Sequence, residues 1–242
     1  MIEVLVLPGT GHPRGGDGVS EAFMAALDPA RFRPRIVAYP AAYGDPMPYG
    51  RSRELGRAAL ITAIRATPEL VVIAGYSQGA GIAGDLAAEI STGVLPDLEV
   101  LGCALIADPA RPSGSGCPGA PTASGYGVAG QRPIPGIPTW WAAAEGDPIT
   151  ALPAGNPLRS VADLSEWYGL SSPDAVCRWG EDLVELVRER TFQRWWSVQH
   201  WRSWAGAMAY ARGYLVDGRH GADYVRHGHV QALAAAVNDE VG

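Results

Sequence analysis

The run Leu70-Val-Val-Ile-Ala-Gly75-Tyr-Ser77-Gln-Gly79-Ala-Gly81 constrains the chain more than any other stretch. Leu70 to Ala74 is continuously apolar and rich in β-branched residues, as a strand covered on both faces of a parallel sheet has to be. Gly79 to Ile90 then places Ile82, Leu86 and Ile90 on one helical face, so the strand passes directly into a helix. Between them stands G-x-S-x-G, with Gly75 and Gly79 flanking Ser77. Glycines there let the backbone reverse sharply, lift the serine hydroxyl clear of the sheet, and aim the free N–H groups of the new helix at the same spot. The bland alternative is a tight turn whose serine only caps the helix. The buried strand before it and the thin, small-residue helix after it favour a nucleophile.

The remaining chain repeats this alternation. Strands are expected at Glu3 to Leu7, Arg35 to Tyr39, Leu98 to Ile106 and Thr139 to Ala144. Helices are expected at Val19 to Ala26, from about Ser52 to Ala66, and through Leu233, Ala236 and Val237. Apolar strands alternating with amphipathic helices predict an α/β fold with a mostly parallel central sheet, whose ligands bind at the carboxyl ends of the strands. With 242 residues we expect a single domain over 1–242. It carries a Gly/Pro-rich loop at 111–138 and a helical insertion, a lid or linker, at 156–216. That insertion holds Trp167, Trp179, Trp195, Trp196, Trp201 and Trp204, either as core of a helical layer or as walls of an acyl groove. A net charge of −6 without a basic stripe argues against nucleic acid as a partner. No run reaches transmembrane length, and the start Met1-Ile-Glu-Val-Leu-Val-Leu reads as a strand and not as a signal peptide. Cys103 falls in an apolar strand, and the spacing of Cys117 and Cys177 gives no support for a bridge between them.

Candidate site residues gather at the ends of the expected strands. Oxyanion stabilisation needs two N–H donors. One is Gln78, after the nucleophile, and the other is Thr10, in the glycine-rich loop after the first strand. An orienting acid should follow a later strand, which selects Asp147 in Glu145-Gly-Asp147-Pro148, with Asp108 and Glu145 as alternatives. The base should come from a late loop ahead of the last helix. His220, between Gly218 and Gly221, fits best, with His227 and His229 as competitors. His12 precedes the serine and His200 lies among the tryptophans; neither fits that order. His227-x-His229 has no acidic or cysteine partners at metal-ligand spacing, so no metal site is expected.

Taken as an ordered series, Gly9-Thr10-Gly11, Gly75-Tyr-Ser-Gln-Gly79-Ala, Asp108-Pro-Ala-Arg111, Gly125-Tyr-Gly-Val-Ala-Gly-Gln-Arg132, Glu145-Gly-Asp147-Pro and a late His-Tyr pair resemble the lysin B enzymes of mycobacteriophages. These are cutinase-like serine esterases. The resemblance spans nearly the whole chain. It implies an α/β hydrolase fold with a helical insertion, and hydrolysis of the ester between mycolic acids and arabinogalactan in the mycobacterial envelope. By position, Ser77 would be the nucleophile, Asp147 the orienting acid and His220 the base. Two departures stand out: three residues separate His220 from Tyr224, and Ala107-Asp108-Pro109 replaces the usual Gly-Asn-Pro. The first keeps His227 in play. The resemblance also implies synthesis in the host cytoplasm with action on the envelope after release. Ser-His-Asp chemistry requires no metal or organic cofactor. Alternatives are a general cutinase- or lipase-type esterase acting on soluble or lipid esters, and a wall-binding module that has lost catalysis.

Overall fold

In β1 (Ile2–Leu7), β3 (Leu70–Tyr76) and β4 (Gly102–Ile106), successive side chains point to opposite faces, and both faces are apolar. Val4, Val6, Val72, Ala74, Ala104 and Ile106 point to one side. Leu5, Leu7, Ile73, Cys103 and Leu105 point to the other. Strands of this kind must be covered on both sides, and they are. The computed structural model, which describes residues 1–44, 46–156 and 220–241, places α1 (Gly18–Ala25) and α5 (His229–Glu240) on the first face. On the second lie α2 (Tyr49–Ala66) and α3 (Gln78–Ser91). With β2 (Phe32–Ile36) and β5 (Thr139–Ala142), the strands form one five-stranded sheet in the order β2-β1-β3-β4-β5. Every pairing is parallel. A short helix, α4 (Ala222–Arg226), precedes α5. Among the described residues, no helix is long and apolar enough to cross a membrane.

The order sets the position of the functional edge. The chain leaves β1 outward to β2 and returns to β3 on the other side, so the crevice between the carboxyl ends of β1 and β3 is the switch point of the sheet. Pro8 and the loop beyond it leave β1 there, and Ser77 leaves β3 there. The two glycines of the elbow are required by this crossing. A Cβ on Gly79 would lie 2.1 Å from the Leu7 carbonyl oxygen, and one on Gly75 would lie 2.3 Å from the Gly79 carbonyl carbon.

β1 and β3 cover their expected stretches, β5 (Thr139–Ala142) ends two residues earlier than expected, and two strands differ at their start by three residues or more. β2 runs over Phe32–Ile36, three residues earlier than expected, because its sequence Phe-Arg-Pro-Arg-Ile hides an edge strand. Pro34 lacks an N–H but is tolerated at an edge. The charge of Arg35 is taken by buried Glu3 on β1, 2.8 Å away, which holds that carboxyl below its usual range. β4 starts at Gly102, after a turn in which the Leu98 N–H donates to the Leu95 carbonyl. Cys103 and Cys117 are buried, and among the described residues both are free thiols. Burial pushes the Cys117 thiol up to about 11. The expected insertion beyond Asn156, its tryptophans, His200 and Cys177 all lie outside the described residues.

The Gly/Pro-rich loop is tied down by one side chain. The Arg111 guanidinium is fully buried and donates to the carbonyls of Thr150 at 2.9 Å and Ser115 at 2.7 Å. The carbonyls of Ala123, Ser124 and Gly125 lie 3.0 to 3.1 Å from its Nη2. A charged donor satisfying several main-chain acceptors thus replaces the regular ladder that this loop lacks.

Adding one methyl group at Gly79 forces β1 and α3 apart at their closest approach. Gly79→Ala is expected to lower stability by about 3 kcal/mol, read from urea unfolding; a midpoint equal to the wild type would show that the junction has slack.

Candidate active site

Ser77 has φ +54° and ψ −115°, a backbone state that residues with a Cβ rarely adopt. It persists because the Ser77 N–H donates to the Ile106 carbonyl at 2.9 Å and its carbonyl accepts from Gly81 at 3.0 Å, fixing the residue between sheet and helix. The side chain is thereby turned toward the loops that follow β5 and precede α4.

His220 stands there, with its Nε2 2.8 Å from Ser77 Oγ. Its Nδ1 faces both oxygens of Asp147, at 3.1 and 3.0 Å. With a carboxylate on Nδ1, the neutral ring carries its proton on that nitrogen and presents a lone pair on Nε2 to the serine hydroxyl. Asp147 is fully buried. It is supplied with two further donors, the Ile149 N–H at 2.9 Å and the Tyr224 hydroxyl at 2.6 Å. Tyr224, itself fully buried on α4, accepts from the Ala144 N–H at 3.2 Å. Tyr76, next to the serine, donates from its hydroxyl to the His220 carbonyl and lies against the imidazole with ring centroids 5.5 Å apart. His220 is therefore held by its backbone, its ring face and both ring nitrogens.

The loop after β1 is held as firmly. Asp17, the N-cap of α1, accepts from the N–H of Ser20 at 2.6 Å and from that of Gly9 at 3.2 Å. The Gly11 N–H donates to the Ala41 carbonyl at 2.8 Å. Among the described residues the intervening Thr10 N–H takes no acceptor, and the Gln78 N–H is at the first turn of α3, where a helix offers none. The Gln78 side chain is used structurally, since its Nε2 donates to the Ala42 carbonyl at 3.1 Å and its Oε1 lies 3.2 Å from the Tyr39 hydroxyl. Thr10, Ser77 and Gln78 line one cavity of about 460 Å³, continued by Pro109, Val128 and Ile149.

The other sequence candidates are engaged elsewhere. Asp108 is buried against the Arg132 guanidinium at 2.7 Å and the Trp141 indole N–H at 3.0 Å. Glu145 accepts from Ser124, which keeps its carboxyl below the usual range. His227 is an exposed neighbour of Asp223, 3.6 Å away. His229 lies against Tyr224 with centroids 5.6 Å apart, and burial followed by the charge of His227 lowers its pKa. His12 lies in the loop after β1, where its main-chain N–H donates to the Gly9 carbonyl at 3.2 Å. Sequence reasoning missed the site contacts of Tyr76 and Tyr224. The late His-Tyr spacing was the one available signal for Tyr224.

Lysin B from Mycobacteriophage D29 superimposes with a TM-score of 0.58 at 21% identity, over 85% of this chain and 86% of that one. The chain has an α/β hydrolase fold. Its likeness to lysin B lies in that fold. A cutinase-like protein from Cryptococcus sp. matches with a TM-score of 0.47 at 21% identity, over 76% of this chain and 88% of its own. An acetyl xylan esterase matches at 0.45 and 20%, over 65% and 88%. No protein-family model matches the sequence, and neither does any curated protein.

Burial, then the charge of Asp147, raises the Tyr224 phenol well above its ordinary value of 10. Folding favours its neutral form, so the stability it contributes is whole below pH 10 and disappears as pH rises toward the folded-state value. Tyr224→Phe is expected to make the melting temperature fall less steeply above pH 10. At neutral pH it should lower kcat/KM on a simple ester about tenfold, by removing a hydrogen bond to a charged acceptor. An unchanged alkaline slope and rate would show that the phenol does not support Asp147.

Proposed function

We propose that this protein is a serine esterase that cleaves the ester between mycolic acids and arabinogalactan, with Ser77 as nucleophile, His220 as base and Asp147 as orienting acid. The observation that carries the reaction class is the unbroken relay from Ser77 Oγ through both nitrogens of His220 to buried Asp147, opening on a largely apolar cavity. His220 Nε2 takes the serine proton as Oγ attacks the ester carbonyl, and Asp147 stabilises the imidazolium that forms. The N–H groups of Gln78 and Thr10 receive the oxyanion, each contributing about 3 kcal/mol. The imidazolium then gives its proton to the departing alcohol. Water, deprotonated by the same nitrogen, releases the acid from Ser77. No step calls on a metal or an organic cofactor.

The mycolate ester as substrate is supported by the ordered motif series and by the fold shared with lysin B over most of both chains. In this reading the enzyme is made in the cytoplasm of an infected host and meets the envelope ester at lysis. A general lipase-type esterase is the second reading. It is favoured by a cavity of about 460 Å³, a size that suits an acyl chain of moderate length.

Purified protein incubated with isolated mycolylarabinogalactan is expected to release free mycolic acids, detected by mass spectrometry. Ser77→Ala should lower turnover about 10⁵-fold or more and abolish labelling by a fluorophosphonate. Turnover of short synthetic esters without mycolate release would move the function to the second reading, and appreciable turnover by Ser77→Ala would remove the nucleophile.

A further inference from the structure

The cavity over Ser77 has two walls of different chemistry. Pro109 and Ala110 after β4, Val128 and Ala129 in the Gly/Pro-rich loop, and Ile149 after β5 make one wall, and it is apolar. The other is built by Tyr43, Tyr49 and Arg53, ahead of and on α2, with Asp85 on α3 and Arg132 reaching in. Arg132 is nearly buried and bridges two carboxylates, with Nη1 2.7 Å from Asp85 Oδ1 and Nη2 2.7 Å from Asp108 Oδ2. Asp85 also accepts from Arg53, whose guanidinium lies 5.6 Å from the Tyr49 ring centroid. Tyr43 and Tyr49 meet with centroids 5.1 Å apart and planes inclined at 55°. The side chains of Arg53 and Asp85 line the cavity and are only partly buried.

An ester has two halves, and the walls divide them. Laying an acyl chain over Arg53 and Asp85 would strip water from charged groups with nothing in return, at a cost of several kcal/mol. Laid along Pro109, Val128 and Ile149, the same chain buries apolar surface on both sides. The alcohol half then faces the charged wall. Arg53 is paired with Asp85, and Arg132 with Asp85 and with buried Asp108 behind the wall, so the wall presents donors and acceptors and not an uncompensated charge. That favours a neutral alcohol bearing several hydroxyls over a phosphorylated or carboxylated one. Tyrosine rings complement it, offering flat apolar faces to the C–H surface of a sugar ring.

We propose that Tyr49, Arg53 and Asp85 form a leaving-group subsite for a neutral sugar, recognising the alcohol half of the ester while the opposite wall takes the acyl half. The inference rests on the esterase reading but not on the identity of the acid. During acylation the sugar oxygen accepts the proton from His220 Nε2 as its bond to the acyl carbon breaks, and the sugar leaves neutral while the acyl group stays on Ser77 Oγ. Asp85 accepts and Arg53 donates hydrogen bonds to hydroxyls remote from the breaking bond, which orients the ester over Ser77.

The test compares methyl butanoate with the 6-O-butanoate of methyl α-glucopyranoside, which share the acyl group and differ in the alcohol. The ratio of kcat/KM, sugar ester to methyl ester, is expected to be tenfold or more in the wild type. Asp85→Asn and Tyr49→Leu, each checked for a cooperative melting transition, should cut that ratio at least fivefold. Equal efficiency on the two esters in the wild type, or an unchanged ratio in both variants, overturns the subsite while leaving the esterase standing. Absence of turnover on either ester, with no labelling of Ser77 by a fluorophosphonate, takes down the esterase reading itself.

Discussion

Everything at the carboxyl edge depends on one backbone torsion, the positive φ of Ser77. Such a state costs a residue with a side chain about 1–3 kcal/mol, and it survives only where its surroundings leave no alternative. Here the surroundings are the Leu7 carbonyl pressed against Gly79, the Ile106 carbonyl holding the serine N–H, and the first turn of α3 beginning at Gln78. The strain has a geometric return. It places a hydroxyl and a free main-chain N–H from adjacent residues on the same side of the sheet, a pairing that neither a continuing strand nor a continuing helix provides. The position of the β1 loop follows, because Thr10 has to approach the same point.

Two aspartates are fully buried at the ends of neighbouring strands, and their partners separate their roles. Asp108, after β4, is met by a permanent cation, Arg132, together with the Trp141 indole and the Ala110 N–H. That set neutralises it and leaves nothing to transfer a proton. Asp147, after β5, is met by a phenol, a main-chain N–H and an imidazole, none of them a permanent cation. A carboxylate sheltered by neutral donors keeps its negative charge available to the ring beside it. The same burial that makes the first aspartate a brace thus makes the second an electrostatic partner.

How much of this was legible in the sequence varied with how local the determining contact is. The elbow was readable because strand, turn and helix each carry their own pattern within twenty residues. β2 was displaced in the reading because Arg33, Pro34 and Arg35 look like a loop until Glu3 of another strand is brought beside them. Among the late histidines, spacing alone kept three in contention. α4 sets them apart by turning Tyr224 inward to Asp147 and leaving His227 outside with Asp223. Arg132 read as part of a glycine-rich motif, and its place between Asp85 and Asp108 depends on a loop folding back across α3. Contacts between positions far apart in the chain leave no period to find.

The relay joins residues from widely separated parts of the chain, with Ser77 and His220 separated by 143 positions. The residues of β1, β3, the elbow and the apolar cavity wall all precede the imidazole in the order of synthesis. A chain that stopped short of the last helices would carry Ser77 without His220 beside it. The closing contact comes with α4 and α5, which also seal the first face of the sheet against α1. In the proposed esterase, reactivity at Ser77 would therefore report that the last helices have docked.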